Sequence, residues 1–225
     1  GSAIAYGVKR GVYSNEAGQG SAPHAAAAAE VTHPAKQGLV QAFSVYIDTL
    51  LVCSATAFMI LVTGAYNVAA KGGGFIVENM PGVEMGPVYT QQAIDTTLGG
   101  GSAFVAIALF FFAFTTLMAY YYIAETNVVY LEKSSRQKWM VALLRFALLA
   151  ATFWGTVHTA TTAWELGDIG VGIMAWLNIV AILILSKPAL ACLRDYEKQK
   201  AAGIDPVFHP KKLGIKNADF WEKRR

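Results

Sequence analysis

The chain has 225 residues, 55% of them apolar and only 15% charged, with a formal charge of +3 and a mean hydropathy of +0.40. Soluble domains carry roughly 25% charged residues, so this composition excludes an ordinary soluble protein and points to a membrane protein. In such a chain the spans are the units to count.

The opening, GSAIAYGVKRG, lacks the basic start and long apolar core of a secretory signal and reads as the later part of a helix. RGVYSNEAGQGSAPHAAAAAE follows, and it interrupts the apolar pattern with Ser14, Asn15, Glu16, Gly18 and Gly20. Residues 21–29 are predicted to be a short helix, with Ser21 as cap, Pro23 in the first turn and a run of alanines. Nine residues rise only about 13.5 Å, half a bilayer. Residues 1–36 are therefore predicted to be the end of a discontinuous membrane helix, unwound over 14–20. Backbone leaves helical geometry in lipid only where it lines a protein-enclosed cavity. Glycines permit the unusual dihedrals there, and polar side chains such as Asn15 and Glu16 are costly in lipid unless used. The alternative is a surface loop ahead of an interfacial helix.

Transmembrane helices are predicted at residues 37–64, 101–131, 139–163 and 169–193. No period-2 alternation supports a β-barrel. A Gly/Pro-rich extracellular or periplasmic loop fills 65–100, the basic turn LEKSSRQK joins the second and third spans, and the acidic WELGD joins the last two. Residues 194–225 form a charged tail. Four alternating spans put fourteen Lys and Arg residues on the tail's side against Lys71 alone on the other, which places the tail in the cytoplasm. That charge fixes topology, with contact to anionic lipid a second reading. No nucleic-acid partner is expected.

Phe112, Thr115 and Thr116 share one face of their span. A carbonyl and two hydroxyls there would offer three oxygens to Na⁺. Alternatively, the hydroxyls bond back to carbonyls of their own helix, and on spacing alone this second reading is the stronger. Asp48, inside the first span, is either a helix-packing anchor or an ion ligand. Arg145 is close enough to a span end to reach the interface. Lys9 and Arg10 precede the break and could form a gate with an acid such as Asp168. The four histidines and two cysteines have no metal spacing. EAGQGS lacks a Walker lysine, and no catalytic nucleophile is legible, so neither nucleotide binding nor enzyme activity is expected.

Residues 7–64, GVKRGVYSNEAGQGSAPHAAAAAEVTHPAKQGLVQAFSVYIDTLLVCSATAFMILVTG, closely resemble the sodium:alanine symporters, the alanine-or-glycine:cation symporter family. FAFTTLMAYYYIAETN, WELGDIGVGIMAWLNIVAILILS and DYEKQKAAGIDPVF resemble it in the same order. The resemblance implies an all-α membrane protein of the leucine-transporter type. In such a fold this chain is the second inverted repeat, one broken helix plus four transmembrane helices, and the N-terminal repeat is its missing partner. It further implies sodium-coupled symport of a small neutral amino acid, alanine or glycine, across the cell membrane. Ser14, Asn15, Glu16, Ala17 and Gly18 would line the substrate pocket, although Glu16 serves equally well as a structural anchor. The resemblance favours the Na⁺ reading of Phe112, Thr115 and Thr116, and needs no organic cofactor. A non-transporting membrane scaffold or assembly subunit that retains the half-fold is the alternative function.

Overall fold

Four stretches are long and apolar enough to cross a membrane as helices: Pro34–Thr63, Gly101–Leu131, Gln137–Val157 and Thr161–Ala201. The computed structural model describes residues 1–84, 86–134 and 136–223. In chain order it has α1 (Ser2–Asn15), α2 (Ala22–Ala27), α3 (Pro34–Tyr46), a π-helical segment (Ile47–Cys53) and α4 (Ser54–Thr63). A hairpin of β1 (Asn67–Ala69) and β2 (Phe75–Glu78) and the short α5 (Pro87–Asp95) come next. The chain continues through α6 (Gly101–Leu131), α7 (Gln137–Val157), α8 (Ala160–Ala201), a 3₁₀ turn (Pro210–Leu213) and α9 (Asp219–Lys223).

Val and Ile are frequent in these helices, yet helix wins, because in lipid each span must satisfy its own backbone. α6, with 31 residues, rises about 46 Å, more than a hydrocarbon core of about 30 Å requires. Its outward side chains include Phe110, Phe111 and Phe112. Among the described residues the buried apolar side chains are few: Ala65, Ala93, Val105 and Phe208. Such a surface suits lipid, which supplies no hydrophobic drive to turn it inward.

The chain divides into two units, residues 48–151 and residues 1–47 with 152–225. In the first, the stretch expected to be a loop carries regular structure. β1 and β2 pair antiparallel with a bulge at Val68/Ala69. Asn67 closes the hairpin, donating to the Met80 carbonyl and accepting the Met80 amide, both at 2.7 Å. α5 abuts the start of α6, where Asp95 accepts the Ser102 amide at 2.9 Å and the Ser102 hydroxyl. Those bonds hold the Asp95 carboxyl below its ordinary value. Gly101 has no room for a side chain: a Cβ there would lie 2.3 Å from Cγ2 of Ile94.

In the other unit three expectations change. Residues 164–168, expected to be a connection, lie inside α8. Extended Thr159 caps that helix by accepting the Thr162 amide at 3.4 Å, so the spans meet at His158 and Thr159 instead. The last span, expected to end at residue 193, runs on to Ala201, with Pro188 inside α8. Pro188 denies an amide to the Ile184 carbonyl without stopping the helix.

The tail, read from sequence as a charged segment that fixes topology, folds back as a clasp on the chain between α2 and α3. The Phe208 amide donates to the Thr32 carbonyl at 3.0 Å, and the Thr32 hydroxyl donates to the Pro206 carbonyl at 2.9 Å. Lys36 reaches Asp205 at 2.6 Å. Gln199 holds the returning strand through the Val207 amide and carbonyl, at 2.9 and 3.0 Å. At the centre is His33, with 0% exposure. Its Nδ1 accepts the Ala35 amide at 3.1 Å and so caps α3, which leaves the proton on Nε2, 3.3 Å from Asp195 Oδ2. The Tyr196 and Phe208 rings lie 5.5 and 5.4 Å away. Burial holds the His33 imidazole below its ordinary value; Asp195 opposes the shift and Lys36 adds to it.

Candidate functional site

α1 stops at Asn15 for local reasons. Glu16 takes the left-handed conformation, φ 55° and ψ 18°, while its amide still bonds the Val12 carbonyl at 2.9 Å. Asn15 Oδ1 accepts the Ala17 amide at 2.9 Å, an Asx turn that competes with a further helical turn. Gly18 (φ 79°) and Gly20 (φ 110°) then carry the chain through dihedrals that side chains resist. Ser14, Ala17 and Gly18 are exposed; Asn15 and Glu16 are half-buried.

Ser21 does not make the cap bond expected of it. Its hydroxyl donates to the Glu16 carboxylate, closing the break on itself, and α2 runs only over Ala22–Ala27. Gln19, buried, donates to the Val12 carbonyl at 2.9 Å and caps α1. α8 supports the break from one side: Asn178 Nδ2 donates to the Gly18 carbonyl at 3.0 Å. A Cβ on Gly20 would lie 3.2 Å from Asn178 Cβ and 3.3 Å from Met174 Cγ.

Asp168 gathers the α1 side chains that precede the break. Lys9 Nζ lies 2.5 Å from its Oδ2, and the Tyr13 hydroxyl donates to its Oδ1 at 2.6 Å. Arg10 goes elsewhere, its guanidinium 4.6 Å from the Trp164 ring and 5.7 Å from that of Tyr13. A largely apolar cavity of about 370 Å³ lies between α1 and α8, with Tyr13, Gln19 and Asp168 in its wall.

In the other unit, Phe112, Thr115 and Thr116 are exposed on α6. The Thr115 hydroxyl donates to the Phe111 and Phe112 carbonyls at 3.0 and 3.1 Å, the self-bonding arrangement. A hydroxyl that donates keeps its lone pairs, so this geometry still has oxygen to offer a cation. Asp48 is half-buried in the π-helical segment, where the Cys53 thiol points to its carboxylate at 3.7 Å. π-helical turns inside α-helices recur at functional sites, and no residue pattern had signalled this one. Arg145 does not stand alone: its guanidinium meets the Tyr121 hydroxyl at 2.7 Å and Glu125 at 3.5 Å.

Sequence reasoning did not single out Gln19 or Asn178. Asn178 did leave a signal, as the lone polar side chain of IMAWLNIVAILIL, where an amide is costly unless bonded.

A family model described as the sodium:alanine symporter family matches residues 1–210. The chain belongs to that family. Among relatives of this sodium:alanine symporter family chain is YrbD of Bacillus subtilis (strain 168), 68% identical over 99% of the chain and 46% of the relative. The sodium/proton-dependent alanine carrier protein of Bacillus sp. (strain PS3) is 63% identical over 99% of the chain and 50% of its own length. The amino-acid carrier protein AlsT of Bacillus subtilis (strain 168) is 40% identical over 100% of the chain and 45% of AlsT. The chain thus spans about half the length of these relatives. No solved structure matches it. Family membership and four apolar helices make it a multi-pass membrane protein of a transporter family.

Proposed function

We propose that this chain is the substrate-holding half of a sodium-coupled carrier for alanine or a similarly small neutral amino acid such as glycine. It works in the cell membrane with its tail in the cytoplasm, as the second inverted repeat of a leucine-transporter-type fold, and a first repeat completes the pocket. The observation that carries this reading is the helix break at Glu16–Gly20 in a member of this family. Family membership and the name of the Bacillus sp. relative support alanine and sodium.

An amino acid offers an ammonium and a carboxylate to one small site. Carbonyls released where α1 ends suit the ammonium, and amides beyond Glu16 suit the carboxylate. Asn15 shapes that turn, and Glu16 anchors it by accepting the Ser21 hydroxyl while lining the pocket. Na⁺, the co-transported substrate, takes oxygens from Phe112, Thr115 and Thr116. Neutral donors hold it weakly enough to let go. Asp48 serves as a helix-packing anchor. The Lys9–Asp168 pair, with Arg10 on Trp164, forms a polar latch beside the break. No covalent bond is made or broken; the sodium gradient drives the cycle.

Uptake of labelled L-alanine into proteoliposomes holding the full carrier tests this. Uptake is expected only with an inward Na⁺ gradient. Asn15→Ala, which removes the Asx turn, is expected to lower it about ten-fold. Uptake independent of Na⁺, or untouched by Asn15→Ala, refutes the reading.

A further inference from the structure

We propose that Asn178 is a positioning residue for the break: through the Gly18 carbonyl it sets where the amides and carbonyls of residues 16–20 point. The proposal deepens the function above and rests on it. Three observations converge. Asn178 is the lone polar group in its apolar stretch, and its Nδ2 is committed to Gly18 O at 3.0 Å. Gly20, two residues on, lets the chain lie so close to α8 that a single added carbon would press on Asn178 and Met174. Three local bonds shape the turn: Asn15 to Ala17, Ser21 to Glu16 and Gln19 to Val12. The Asn178 bond reaches the turn from a different helix, 160 residues away in sequence, and so bears on its placement.

The bond occupies one lone pair of Gly18 O and sets the direction of that peptide group, and with it the directions of its neighbours in the turn. Asn178 touches the Gly18 backbone, which makes its role one of orientation. Its loss weakens amino-acid binding while leaving the rate of the loaded carrier nearly intact.

The test compares wild type, Asn178→Ala, Asn178→Asp and Asn178→Gln in the full carrier. Asp keeps the shape and loses the donor; Gln keeps the donor on a longer arm. L-alanine KM is expected to rise about three- to ten-fold in the Ala and Asp variants, with the maximal rate within about two-fold of wild type. Gln is expected to recover part of the loss. In parallel, amide hydrogen exchange of residues 16–20 in nanodiscs, without substrate, is expected to quicken in Ala and Asp and not in Gln. Should wild type transport no alanine, the functional reading fails while the exchange data still judge Asn178. Unchanged exchange in both Ala and Asp overturns the proposal, as does a KM in those two variants equal to that of a wild type that transports.

Discussion

Gly20→Val is expected to reduce sodium-driven L-alanine uptake at least about thirty-fold while the protein still inserts and purifies as helical protein. Two costs add at this one position. At φ 110° a β-branched residue is a steric outlier, with about 1–2 kcal/mol against it in left-handed space. A Cβ would also approach Asn178 Cβ to 3.2 Å and Met174 Cγ to 3.3 Å, and overpacking of that kind costs about 1–3 kcal/mol. The rest of α1 and α8 does not pass through Gly20, so the chain relieves the strain by moving the break. Each 1.4 kcal/mol is about ten-fold in an equilibrium. Full uptake by the valine variant would show that residues 16–20 do not need their present position.

The second large effect concerns the clasp. His33→Ala is expected to destabilise the unit made of residues 1–47 and 152–225 by about 3–5 kcal/mol, because it removes a fully buried ring and the α3 cap together. Denaturant titration in detergent measures this, and tail residues 202–223 become protease-sensitive first. The same histidine gives the clasp a pH dependence. In the folded chain its imidazole is held below the ordinary value by burial, against the pull of Asp195 and with Lys36 adding to the shift. Below about pH 6.5 the unfolded chain binds a proton that the folded chain refuses. This contribution is therefore complete above that value and is lost as pH falls toward the folded one. Protonation would also require Nδ1 to release the Ala35 amide. A stability profile flat from pH 8 to pH 5, or identical in wild type and His33→Phe, would contradict this.

Much of the architecture was legible because it rests on composition. Long apolar blocks are helices wherever lipid is the solvent, and glycines beside Asn15 and Glu16 mark a place where the helix stops. Legibility failed where a single side chain decided a boundary. Residues 164–168 look like a turn by charge and glycine, but Thr159 starts the helix earlier. The charged residues beyond 193 look like the end of the span, yet α8 continues through them to Ala201. The clasp was invisible because its parts, Thr32, His33 and residues 205–208, are far apart in sequence and unremarkable singly. At the break, the sequence pattern located the turn but not its support. Ser21 looked like a cap and proved to be a partner of Glu16, and Asn178 acts from another helix.

The break's role can be measured directly. Ala17 is exposed at its centre, and Cys53→Ser, which keeps a donor towards Asp48, together with Cys192→Ala removes this chain's own thiols. In the full carrier, Ala17→Cys in that background is treated with a membrane-impermeant thiol reagent. With Na⁺ present, L-alanine at about ten times its half-saturating concentration is expected to slow the reaction about ten-fold, and K⁺ in place of Na⁺ is expected to remove most of that protection. A rate that L-alanine leaves unchanged, in a carrier shown to bind it, would place the amino acid elsewhere and contradict the account.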